Sequence, residues 1–163
     1  MSTDTAKPVI LCVDDEPQVL QLLKGWLAGG GYDVLTAGSG AEALQTVQNA
    51  LPDLILLDVV MPGMDGYTLC ARLQEQEETA NIPVIFVSAM GGEPDKARAF
   101  ALGAVDYAVK PIELKRLLDT VRVHLQTRPR WKALLKRPVS PDEGIQPADF
   151  IRFKEYLAEQ VHA

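Results

Sequence analysis

Five short apolar runs recur along the first 127 residues with no polar alternation inside them, and each is followed by a segment of helical period. The runs are Val9–Val13, Tyr32–Ala37, Leu54–Leu57, Pro83–Val87 and Ala104–Val109. A strand with one wet face alternates apolar and polar residues, so runs without alternation must be buried on both faces. That requires helices above and below a parallel sheet. The first helical segment carries Val19, Leu20, Leu23 and Leu27 at helical spacing, with Pro17 near its start and Gly29-Gly30-Gly31 at its end. The last carries Leu114, Leu117, Leu118, Val121 and Leu125 as one apolar stripe. Right-handed crossovers then leave one natural closure, an α/β fold with a doubly wound five-stranded parallel sheet, followed by a helical C-terminal tail.

Apolar residues make up 47% and charged residues 23% of the 163, which excludes a disordered or collagen-like chain. No apolar stretch reaches the 18 or so residues of a membrane span, and residues 1–8 are too polar and too few for a signal peptide. The expectation is a cytoplasmic protein without membrane contact. Cys12 and Cys70 lie far apart, outside any metal-ligand spacing, so neither a disulfide framework nor a zinc site is indicated. The net charge of −6 divides unevenly: residues 1–127 carry −8 and residues 128–163 carry +2. A strongly acidic main region argues against general nucleic-acid binding, and the change of sign marks two regions, 1–127 and 128–163.

Open parallel sheets bind ligands beyond the carboxyl ends of their strands. The residues there are Asp14, Asp15 and Glu16 after the first run, Asp58 after the third, Ser88 after the fourth and Lys110 after the fifth. Singly, each has an ordinary explanation. The first three acids could cap a helix, Asp58 could open the turn-rich segment 61–66, and Ser88 and Lys110 could be loop residues. Together they do not. Gathered carboxylates repel one another and resist ionisation, a conflict that a divalent cation resolves. Oxygen ligands beside a lysine and a hydroxyl describe a magnesium site next to a phosphoryl group.

These residues carry a resemblance. The stretches Val9-Ile-Leu-Cys-Val-Asp-Asp-Glu-Pro17, Asp53-Leu-Ile-Leu-Leu-Asp-Val-Val-Met-Pro-Gly-Met-Asp-Gly66, Pro83-Val-Ile-Phe-Val-Ser-Ala89 and Gly103-Ala-Val-Asp-Tyr-Ala-Val-Lys-Pro111 are similar to the four motifs of the receiver domain of two-component response regulators. The resemblance spans residues 7–126 and implies the flavodoxin-like strand order 2-1-3-4-5. It implies that Asp58 is the phosphoacceptor. Magnesium or manganese would be held by Asp14, Asp15, Asp58 and the backbone carbonyl of Val60. Ser88, Ala89 and Lys110 would bind the phosphoryl group, Tyr107 would move with Ser88, and the Lys110-Pro111 bond would be cis. The donor would be a sensor histidine kinase or a phosphotransfer protein. The face of the fourth helix, fifth strand and fifth helix would become the signalling surface, and a homodimer could form through that face or through the C-terminal helix. Valine at 60 and methionine at 90 stand where relatives often carry polar side chains that orient water, so self-dephosphorylation is expected to be slow.

Three rivals are weighed against this. A haloacid-dehalogenase-type aspartyl phosphatase needs a second Asp two residues after its nucleophile, and that position is Val60, so the chain is expected not to be an enzyme beyond its own phosphorylation and dephosphorylation. A flavin carrier would not place Asp14-Asp15-Glu16 where a phosphate must sit. A docking pseudo-receiver, independent of phosphorylation, would normally have lost some of the five key side chains. The remaining 36 residues open with a basic run, Arg128 to Arg137, continue as a loop from Pro138 to Gln146, and close with a helical pattern from Pro147 to Val161 marked by Phe150, Phe153, Leu157 and Val161. They are expected to be the connector and first helix of a larger regulator, with nucleic-acid binding not expected from this chain alone.

Overall fold

The computed structural model describes residues 7–134, with side chains through Gln126. Five parallel strands, β1 (Val9–Val13), β2 (Asp33–Ala37), β3 (Leu54–Leu57), β4 (Val84–Ser88) and β5 (Asp106–Val109), form one sheet in the order β2-β1-β3-β4-β5. The helices between and after them are α1 (Pro17–Gly29), α2 (Gly40–Asn49), α3 (Gly66–Glu75), α4 (Glu93–Ala101) and α5 (Leu114–Leu134). The expected α/β class and strand order are therefore found.

Every residue of β3 and β4 is buried, as runs without polar alternation require. Side chains on one face, including Leu11, Val13, Ile55, Leu57, Val84 and Phe86, join Ala43 and Val47 of α2, Leu69, Cys70 and Leu73 of α3 and Ala99 of α4 in one core cluster. The intervening strand residues Ile10, Cys12, Leu54, Leu56, Ile85 and Val87 are equally buried and point the opposite way. Both cysteines are free and buried, and burial raises the Cys12 thiol to about 12, helped by the charge of Asp14, and Cys70 to about 11. Neither is a reactive thiolate at neutral pH.

Four strand boundaries differ from the sequence expectation: β5 begins at Asp106 rather than Ala104, and the other three have a backbone reason. Tyr32 is not in β2, because its N–H closes the end of α1 on the Leu27 carbonyl at 3.1 Å. Ser88 belongs to β4, because its pairing with Val109 continues the ladder. Pro83 lies just outside that strand and contributes only a carbonyl, which accepts from Ile55 N at 3.0 Å. In α5 the expected stripe shifts, since Leu114 is exposed while His124 is buried beside Leu117 and Val121.

Residues 1–119 form one compact unit with the sheet, the first four helices and the start of α5; residues 120–163 form a second, described only along the rest of α5. That helix runs through Pro129 to Leu134. The expected loop and the stripe of Phe150, Phe153, Leu157 and Val161 lie outside the described residues. Among the described residues no helix is long and apolar enough to cross a membrane.

Candidate functional site

Strand register decides where the acids go. Val13 pairs with Leu57 across β1 and β3, so the next residues, Asp14 and Asp58, leave the sheet side by side. The ladder continues one step past the strands, with Asp14 N donating to the Ala37 carbonyl at 3.1 Å and Asp58 N to the Val13 carbonyl at 3.0 Å. On the far side, Ser88 pairs with Val109 and Lys110 N donates to the Ser88 carbonyl at 2.8 Å. Lys110 follows a strand two places from β3, yet its long side chain returns to the acids. Its Nζ lies 2.7 Å from Asp14 Oδ2 and 3.3 Å from Asp58 Oδ2.

Asp14 and Asp58 are both buried, at 2% and 6% exposure, whereas Asp15 and Glu16 are exposed. Helix capping is not what these acids do. Glu16 occupies the N-cap of α1 without a side-chain cap bond, and Asp14 turns back to accept from Glu16 N at 2.9 Å through Oδ1 while Oδ2 holds Lys110. Asp14, Asp15 and Asp58 each bring a carboxylate oxygen within 4.8 Å of the others. The donor set is all oxygen, which suits magnesium or manganese and not zinc. One of the three negative charges is balanced by Lys110, and the two that remain match a divalent cation. The residues thus fit the group.

Electrostatics sharpen the roles. Burial pushes the Asp58 carboxyl above its ordinary 3.8, the Asp14 charge adds to this, and Lys110 only partly offsets it. Burial works to lower the Lys110 ammonium, but its hydrogen bond to Asp14 and the charges of Asp58 and Asp14 outweigh that and hold it above 10.5. Burial outweighs the cationic neighbour, which is why Asp58 keeps a raised pKa beside Lys110. A group whose folded pKa is raised contributes stability while protonated and loses it as pH rises through the folded value. In chelating buffer at neutral pH, Asp58→Asn is therefore expected to melt above wild type, the gain closing as pH falls through the raised Asp58 value and gone below its ordinary 3.8. Melting curves from pH 3 to pH 7, as approximate limits spanning the carboxylate range, check this; a variant less stable than wild type at neutral pH would contradict it.

The other expected residues take their places around the acids. Ser88 is fully buried and its Oγ accepts from Met90 N at 3.3 Å, while Ala89 beside it is exposed. Tyr107 is 7% exposed, and its hydroxyl donates to the Met90 carbonyl. Val60 stands on the loop after Asp58 with its side chain 59% exposed, its N–H donating to Asp58 Oδ1 at 3.4 Å. The Lys110-Pro111 peptide bond is cis.

Two supports were not singled out from sequence. Gly66 opens α3 with its N–H on the Val59 carbonyl at 2.8 Å, so close to the acceptor loop that a Cβ there would lie 2.1 Å from the Asp58 carbonyl oxygen. Asp53 accepts from Val9 N at 2.7 Å through its side chain, tying the start of β1 to the start of β3. An aspartate directly before an apolar run was the only signal for the second, and the Asp-Gly pair at the end of a turn-rich segment for the first.

Comparison with known proteins bears on this arrangement. The family profile described as "Response regulator receiver domain" matches residues 10–122. The chain is 40% identical over 137 residues to the DNA-binding dual master transcriptional regulator RpaA of Synechocystis, covering 84% of this chain and 57% of that protein. It is 42% identical over 113 residues to the response regulator PleD of Caulobacter vibrioides, covering 69% of this chain and 25% of PleD. It thus spans between a quarter and somewhat over half of the length of these two curated relatives. Among solved structures, a putative response regulator from Chloroflexus aurantiacus superposes with a TM-score of 0.71 at 40% identity, covering 74% of this chain and 99% of that one. The beryllofluoride-activated receiver domain of Klebsiella pneumoniae RstA gives 0.66 at 31% identity, covering 72% and 98%.

Proposed function

The chain belongs to the response regulator receiver family of two-component systems, and on that premise we propose that Asp58 accepts a phosphoryl group from a sensor histidine kinase or a phosphotransfer protein in the cytoplasm. The observation that carries this reading is the convergence of Asp14, Asp15 and Asp58 with Lys110 beyond the strand ends. Asp14, Asp15, Asp58 and the Val60 carbonyl would hold magnesium or manganese, whose positive charge would screen the phosphoryl oxygens. An Asp58 carboxylate oxygen forms the O–P bond as the N–P bond of the donor phosphohistidine breaks, and the electron pair leaves with the imidazole nitrogen. Lys110, 3.3 Å from Asp58, pairs with the incoming oxygens, and the Ser88 hydroxyl donates to one of them. With Val60 two residues beyond Asp58, this chain supplies no acid/base there for hydrolysing free phosphoesters.

The new charge of roughly −1.5 to −2 draws Ser88 and Lys110 toward it. Ser88 and Tyr107 both hold Met90, by its N–H and its carbonyl, so movement of one reaches the other. The outward consequence falls on α4, β5 and α5, where Phe100, Val109 and Leu114 are exposed apolar residues suited to a partner or a second copy. RpaA is a transcriptional regulator by name, and control of a larger regulator's output is the use we infer for this switch.

Incubation with magnesium and acetyl phosphate, followed by intact mass measurement, tests the central claim. Wild type should gain one phosphoryl mass and Asp58→Asn none; an adduct on neither, or equally on both, overturns it. The acyl phosphate should then persist for minutes to hours, because the exposed apolar side chains of Val60 and Met90 give attacking water no polar group to orient it. Decay within seconds in the same mass assay would refute that part.

A further inference from the structure

Tyr67 stands one residue after Gly66, whose backbone packs on the carbonyl of Asp58. It is 4% exposed, and its ring lies 5.6 Å from Phe86 of β4, which lies 5.9 Å from Tyr107 of β5. The three aromatics form a continuous row beneath the acceptor site. At the outer end of that row two contacts fasten α4. The Tyr67 hydroxyl donates to the Asp95 carbonyl at 3.2 Å, and the Arg98 guanidinium sits 4.2 Å from the ring centroid. Tyr67 therefore follows directly the glycine packed on the phosphoacceptor segment, heads the row that ends in Tyr107, and touches α4 at Asp95 and Arg98.

We propose that Tyr67 is a positioning residue that holds α4 in its resting placement and couples it to the phosphoacceptor segment. This rests on the phosphoacceptor reading of Asp58 for its signalling meaning, although the hold on α4 does not. A tyrosine is suited to the task because its ring packs in the core while its hydroxyl and π-face satisfy polar groups at the rim. Coupling of this kind is reciprocal. If Tyr67 stabilises resting α4, removing its hydroxyl makes departure from that state easier and lets the acceptor site take a phosphoryl mimic more readily.

Tyr67→Phe keeps the ring and removes only the hydroxyl. In the full chain without any phosphoryl mimic, exchange of the α4 amides from Lys96 to Ala101 should quicken by about fivefold, the worth of one ordinary hydrogen bond, with β1 and β3 amides unchanged. Arg98→Leu should move the same amides in the same direction. In the presence of magnesium, beryllofluoride should bind Tyr67→Phe about fivefold more tightly than wild type. Uniform quickening across the sheet, or no quickening at α4, overturns the hold on α4. Weaker or unchanged beryllofluoride binding with selective quickening overturns the coupling. If beryllofluoride binds neither protein, the phosphoacceptor reading and the coupling both fail, while the exchange measurement still decides the hold.

Discussion

Lys110→Met should lower phosphoryl uptake from acetyl phosphate by roughly a hundredfold, the usual loss when one preorganised charge is removed from a transition state that gathers negative oxygens. It should also cost about 2 kcal/mol of stability at neutral pH in chelating buffer, because Asp14 and Asp58 are buried and Lys110 is their common partner at 2.7 and 3.3 Å. With the ammonium gone, Asp58 loses the neighbour that lowers its pKa and keeps the burial and the Asp14 charge that raise it. Protonation then relieves the strain, so the deficit should be greatest at neutral pH and shrink as pH falls through the carboxylate range. Magnesium should relieve it as well. Three unbalanced carboxylates in place of two should tighten magnesium binding by about tenfold. Uptake followed by intact mass, urea unfolding at several pH values and calorimetric titration with magnesium read the three effects. Uptake equal to wild type would remove Lys110 from the chemistry.

Gly66→Ala is expected to be the most damaging single methyl group in the described chain. Its Cβ would sit 2.1 Å from the Asp58 carbonyl oxygen and 2.9 Å from both the Asp58 carbonyl carbon and Val59 Cα. All three are backbone atoms, so no rotamer change makes room, and the loop must move away from the helix that ends it. A loss of roughly 3 kcal/mol or more follows, at the upper end of what overpacking costs. Because the displaced atoms belong to Asp58 itself, phosphoryl uptake should fall with stability. Gly25 of α1 is the natural contrast, exposed and with nothing within 4 Å of an added Cβ. Alanine there should stabilise by about 0.5 to 1 kcal/mol through helix propensity. Urea unfolding of the two variants separates clash from propensity, and a mild effect at Gly66 would mean that the loop yields easily.

Much of the scaffold was legible because burial on both faces leaves a plain mark. Val9–Val13 and Leu54–Leu57 are found with the expected limits, since each is closed by an aspartate that begins the site. The fifth run started too early because an Ala-Val pair reads as strand, whereas the paired segment begins at Asp106. In α5 an apolar count selects Leu114 and passes over His124, although His124 falls three residues after Val121 and seven after Leu117, on the same helical face. The four side chains that meet beyond the sheet, Asp14, Asp15, Asp58 and Lys110, were legible from strand ends alone. The aromatic row was not. Tyr67, Phe86 and Tyr107 come from three separate elements, and nothing in their spacing says that the rings meet. Gly66 was read as a turn former, which understates it, because the demand comes from an atom eight residues away.

The pairing of Val13 with Leu57 sets a tolerance as well as a position. Adjacent residues of a strand face opposite sides, so one residue inserted or deleted within β1 or β3 would turn Asp14 away from Asp58 and aim one of them into the hydrophobic packing of the other face. Loops such as the one after α2 can lengthen without disturbing the acids, since they lie at the amino ends of the strands they feed. Chain length in this protein is therefore digital where it runs through the sheet and elastic where it does not, and the divalent-ion site works as a one-residue ruler of which kind of change has occurred.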